Sequence, residues 1–179
     1  MLKPEGFDQV ETQAMGEYSK PTAGPCVMKI LSAKEEMSKN SRPMLVLYID
    51  IADGEFKDHF KNLFAFLKSR NANAKWPCVH RRCTDGDQIG YFKGDIKAIE
   101  ESNAGFKFNF DENTLKNKLV GCMLGEKEYT SDGKIFLEPR FLCSAEKAKS
   151  GTMTTPKTKP FNGEPDYGSD DTPDNDLPF

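Results

Sequence analysis

The chain has 179 residues, 30% of them charged and 37% hydrophobic, with a formal net charge of -3. So low an apolar share fits a compact body joined to a polar, unpacked segment rather than a chain packed end to end. No stretch approaches the roughly 20 apolar residues of a membrane span, and Met1 to Val10 lacks the apolar run of a secretory signal.

The charge is unevenly placed. Six of the 28 acidic residues lie in 164–179, which has no Lys or Arg, so 22 acids face 25 bases in the rest. A mildly basic body with an acidic end points to a polyanionic partner, with the tail as competitor or separate dock; the plainer reading is a solubilising tail. Cys26, Cys78, Cys83, Cys122 and Cys143 make an odd count, which suits free thiols in a reducing cytoplasm.

Residues 1–23 carry Pro4, Gly6, Gly16 and Pro21 and read as a loose arm. A first strand is expected over 25–33, buried on both faces, followed by a turn at Asn40 and Ser41. "MLVLYIDI" predicts a second strand, with Leu45, Leu47, Ile49 and Ile51 on one face and Val46, Tyr48 and Asp50 on the other. "EFKDHFKNLFAFLKS" fits either period and is read as a third strand running into a helical turn, with 70–88 as loop.

Ile89, Phe92, Ile96 and Ile99 mark one face of a helix, with Asp85 or Asp87 as its cap. "DENTLKNK" is a short helical turn or loop. Two apolar runs around Asp132-Gly133 predict a hairpin. On its second arm Ile135, Leu137, Phe141 and Cys143 are expected on one face and Phe136, Glu138 and Arg140 on the other. Beyond Ala145 the composition predicts a disordered linker over 146–168 and an acidic tip over 169–179.

Three strands, a helix and a hairpin over 24–145 give the order of a mainly β, five-stranded Greek-key barrel of the OB type. Such barrels bind oligonucleotides on one sheet face and through two loops. Around Trp76, the only tryptophan, stand Arg70, Lys75, Arg81 and Arg82. Single-stranded nucleic acid needs both properties, cations for phosphates and flat rings for bases. The alternative is a Trp76 that plugs the barrel end among solvated arginines. Lys39 and Arg42 in the first turn, and Tyr48, Phe136 and Arg140 on outward faces, complete the candidate DNA contacts, each against the reading of ordinary surface.

Cys78, His80 and Cys83 form one irregular cluster, with His59, Cys122 and Cys143 elsewhere; no second close pair completes a zinc site, so free thiols without a metal or other cofactor are expected. No nucleophile motif or phosphate-binding glycine loop is present, and the acids are scattered or in the tail. The chain reads as non-enzymatic, with a metal-dependent nuclease as the enzymatic alternative.

The ending "DNDLPF" resembles the acidic tip of bacterial single-stranded DNA-binding proteins, with Asp174, Asp176, Leu177, Pro178 and Phe179 in matching places. "FKGDIKAIEESNAGFKFNFDENTLKNKLVG" and "GEKEYTSDGK" resemble a phage- and prophage-encoded family of presumed single-strand-binding proteins. The resemblance implies a protein of the bacterial host cytoplasm that protects single-stranded DNA during phage replication, recombination or repair. It also implies that Phe179 docks in an apolar pocket of a replication or recombination partner while the aspartates meet a basic ridge. A recombination accessory protein acting mainly through that tip is the rival within the binding class, and homo-oligomerisation is compatible with both.

The tail acids are expected to compete for the basic cleft. Truncating Gly163 to Phe179 should tighten oligo-dT binding at low salt; unchanged affinity in a direct titration overturns that competition.

Overall fold

One long strand organises the chain. β1 (Gly24–Met37) pairs antiparallel with β2 (Pro43–Ile51) on one side and β4 (Leu119–Glu128) on the other. The computed structural model describes residues 20–129 and 133–161. β3 (Val79–Cys83) adds to β2 and β5 (Ile135–Cys143) to β4, in the order β3-β2-β1-β4-β5, and β3 and β5 come together so that the sheet nearly closes. This is the expected OB-like barrel, with helix α2 (Ile89–Glu101) between the third and fourth strands. The acidic tip, with Asp174, Asp176, Leu177, Pro178 and Phe179, lies outside the described residues, as do residues 1–19.

The third strand is not where the sequence put it. The stretch "HFKNLFAFLKSR" is a helix, α1 (His59–Arg70), and the third strand is formed by "VHRRC", inside the expected loop. The helical period of Phe60, Phe64 and Leu67 prevails once Asp50 supplies a start. The buried Asp50 carboxylate accepts from its neighbour Ile51 N at 2.8 Å and from Phe60 N and Lys61 N, both at 2.9 Å. Those last two are first-turn amides that no helical carbonyl can reach. Burial pushes the Asp50 carboxyl above its ordinary value, and the three amides pull against that shift.

Both faces of β2 are covered, and Met44 to Ile51 is buried without a break. The inner face meets Met28, Ile30, Ile99, Val120, Cys122 and Leu142 in one core. β1 carries a bulge between Ile30 and Ser32, and β5 another, opposite Met123 and Leu124. The second makes Arg140 the extra residue. It turns Leu142 inward and leaves Phe141 at 41% exposure, reversing the alternation expected beyond Glu138.

The expected linker is folded as far as Phe161. Ser144 caps α3 (Ala145–Lys149) by accepting from Lys147 N. α3 packs on the outer face of β1 and β4, where Val27, Cys143 and Ala148 form a second small core. Only glycine fits at position 121 beneath it, since a Cβ there would run into Ser144 O, Cys143 and Ala148. Lys159 then bridges to Lys127, next to the line of β1, which ends at Gly24 opposite Leu124. Polar composition hid this segment because its ties are backbone hydrogen bonds and ion pairs more than apolar contacts.

Asp50→Ala should lower stability by about 3 kcal/mol, since buried amides lose their acceptor. Urea unfolding checks this, and a loss below about 1 kcal/mol would mean that water takes over the carboxylate's role.

Candidate nucleic-acid interface

The structure divides the candidate residues into three groups, with half-buried Phe136 between them. Two are internal. Trp76 is 4% exposed, with its indole N–H donating to Ile49 O at 3.2 Å and its ring 5.2 Å from that of Phe64. Tyr48 is 1% exposed, its hydroxyl 3.5 Å from Glu36 Oε1 and the Lys34 ammonium 5.7 Å from its ring. Both corrections have one cause: the outer face of β2 is a packed layer rather than open surface. As placed, neither ring can stack on a base.

Three arginines are already bound to acids. Arg42 Nε meets Asp85 Oδ1 at 2.8 Å and its Nη2 meets Asp87 Oδ1 at 3.0 Å, which ties the first turn to the entrance of α2. Asp85 and Asp87 are therefore clamp partners of Arg42; neither side chain caps the helix. Arg140 bonds Glu138 Oε1 at 2.7 Å and Glu126 O, with its side chain folded over Gly125. Glu138 also takes Lys159 at 2.7 Å, so the outer face of the hairpin is charge-balanced. Phe136 is half-buried there, against Tyr129 at 5.3 Å.

Arg82 belongs to the barrel's main buried ionic cluster. Asp95, on α2, accepts from Arg82 Nε at 2.7 Å and lies 2.9 Å from His80 Nε2, while Tyr91 lies 5.4 Å from the guanidinium. Alternation along β3 places His80 and Arg82 inward and Val79, Arg81 and Cys83 outward, so Cys83 cannot join His80 around one ion. Among the described residues no group of three His, Cys, Asp or Glu is placed to hold a metal. All five thiols are free. Burial, with lesser help from Cys143 and Asp53, pushes the Cys26 thiol up to about 12, and burial also raises Cys78 and Cys122. These are protonated core thiols, poor as nucleophiles or ligands.

The third group is exposed: Lys39, Arg70, Lys75 and Arg81. Arg70 ends α1, and its guanidinium lies 4.3 Å from the centroid of Phe66, which is 51% exposed. Two residues earlier, and so on another side of the helix, Lys68 lies 5.6 Å over Phe64, which also meets Trp76. Lys57 and Lys61 extend the basic character to the start of the helix. The residues missed from sequence are Phe64, Phe66 and Lys68. Their signal was the i,i+4 spacing of Phe64 with Lys68 and Phe66 with Arg70, legible only once the segment is taken as helix.

α1 is inserted between β2 and β3, the strands that form the oligonucleotide face of OB barrels. Arg81 stands exposed on the outward face of β3. The arrangement can neutralise phosphates and offer one accessible ring.

No protein-family model matches this chain, and no curated protein sequence matches it significantly.

The Asp95 cluster makes a pH-dependent contribution. Burial pushes that carboxyl up, but His80 and Arg82 outweigh it and hold the carboxyl below its ordinary 3.8. An acid depressed in the folded state stabilises above its unfolded value, and the gain drains away as pH falls through the folded one. Asp95→Asn should therefore destabilise at neutral pH and flatten the acid limb below about pH 4. Melting curves across pH check this, and an unaltered acid limb would remove Asp95 as its source.

Proposed function

We propose that this protein binds single-stranded DNA without chemically altering it, and that its acidic C-terminal tip recruits replication or recombination proteins. The observation that carries the DNA half is the exposed Phe66–Arg70 pair of α1, with Lys68 exposed nearby on the same helix, in a helix that joins β2 to β3 of an OB-like barrel. Phosphates meet Lys68, Arg70, Lys75 and Arg81, and a base stacks on Phe66 in exchange for the guanidinium. Such contacts read charge and π-surface, which every base presents, so little sequence preference follows. The tip half rests on the resemblance of Asp174 to Phe179 to bacterial tips of this kind. Phage replication is the setting that the resemblance of the body suggests.

Arg82 and Arg140 have no part in the interface, because their largely buried side chains are taken up by Asp95 and Glu138, and Arg42 is left out because Asp85 and Asp87 already clamp it. Trp76 acts behind the interface, as the support under Phe64.

The test is an anisotropy titration of labelled oligo-dT across salt concentrations, with a chelator control for nuclease activity. The parent should bind with log K falling about 0.7 per phosphate neutralised, and with little quenching of Trp76. Phe66→Ala should cost about 1 to 3 kcal/mol, and Arg70→Ala should shallow the salt slope by about 0.7. Parent-like binding by the double variant would move the interface off α1, and no binding by the tail-truncated parent would defeat the DNA reading.

A further inference from the structure

The loop between α2 and β4 holds an aromatic side chain in an unusual way. Phe110 is 82% exposed and has φ 64, the left-handed conformation. For a bulky residue that is an outlier, one that persists only where its surroundings impose it.

The surroundings do impose it. Phe108 N donates to Glu100 Oε1 at 3.0 Å, and Lys107 pairs with Glu100 Oε2 at 2.8 Å. Asn109 Oδ1 accepts from Asp111 N at 3.2 Å; Asp111 Oδ1 accepts from Asn113 N at 3.0 Å, which starts the 3-10 turn Glu112–Leu115. Leu115 anchors that turn in the core. Farther along, Asn103 bonds both Leu119 N and Leu119 O, at 3.0 and 2.8 Å. The Phe108 ring supports Phe110 at 5.4 Å. Every residue around Phe110 is tied down, and its own ring is left in solvent.

The same loop interleaves cations with rings. Lys118 lies 4.5 Å over Phe106, and Lys107 and Lys116 are exposed. Asp111 is engaged in capping, and Glu100 in holding Lys107. A lone ring among polar residues lacks the roughly 800 Å² per partner of a stable protein interface; it suffices for one base.

The register connects this loop to α1. Leu119 pairs with Lys29, and Lys29 with Asp50, whose carboxylate holds the first amides of α1. Three neighbours in one row share one face, so the loop's end and the base of α1 are about 10 Å apart.

We infer that a single strand held by α1 continues across Lys29 onto the loop at 106–119, where Phe110 is a second base-stacking residue. This rests on the reading of the chain as a single-strand binder, and it adds a second aromatic contact.

Phe110→Gly tests it, since glycine adopts the observed backbone freely and removes only the ring. Expected are a melting temperature no lower than the parent's and at least about fivefold weaker binding of an oligo-dT of about 16 nucleotides. Phe110→Trp should restore the affinity, with its emission quenched by the DNA. Parent-like affinity of Phe110→Gly, while Phe66→Ala still weakens binding, overturns this inference and leaves the α1 interface standing. A lowered melting temperature would make the ring structural, and conversion of an oligomer to a monomer in sedimentation would assign it to a second copy; either result overturns the inference. A parent that binds no oligo-dT defeats the underlying reading itself.

Discussion

A buried carboxylate decides how this barrel presents its surface. Asp50 is the last residue but one of β2, and by taking the amides of Phe60 and Lys61 it sets the start of α1 on the outer side of the sheet. An unpaired charge buried this deeply would cost several kcal/mol, so the helix and the acid hold each other in place. Everything exposed on α1 inherits its position from that contact, including the Phe66 and Arg70 pair. The same residue faces Lys29 across the sheet, which sets the base of α1 in one row with the start of β4 at Leu119.

Engagement in ion pairs marks Arg42, Arg82 and Arg140 as cations that build the fold. Arg42 closes the first turn onto the start of α2, Arg82 joins β3 to α2 through Asp95, and Arg140 lies over Gly125 on the hairpin. Composition treats these three as equals of Arg70, and burial does not. Only 8% of the Arg140 side chain is exposed, and moving it would uncover Glu138. Exposed cations carried on aromatic rings give up weak contacts instead, so exchanging them for phosphate and base costs little.

The barrel was legible because its signals are local. Alternation in "MLVLYIDI", the Asp-Gly turn and the spacing of Ile89, Phe92, Ile96 and Ile99 each name an element within a dozen residues. The third strand was not legible, because "HFKNLFAFLKSR" satisfies two periods at once and "VHRRC" shows neither clearly. Its charged residues become a strand only because Asp95 waits inside to receive His80 and Arg82. The proposed interface was half legible for the same reason: Arg70, Lys75 and Arg81 follow from charge, but the proposed aromatic partner, Phe66, follows from the helix, since Trp76 is buried. Phe110 gave no signal at all, since a positive φ at a phenylalanine is imposed by Asn109, Asp111 and Glu100.

By itself the sequence determined the class of fold, the number of strands and the presence of a basic, aromatic-bearing body with an acidic end. Periodicity, turn chemistry and charge are properties of neighbours in the chain. The tertiary structure alone decided which rings reach solvent, which arginines are spent on acids, and that residues 145–161 belong to the body. Those outcomes depend on contacts between residues tens of positions apart, such as Asp95 with Arg82 and His80, or Lys159 with Lys127, and no local pattern encodes them.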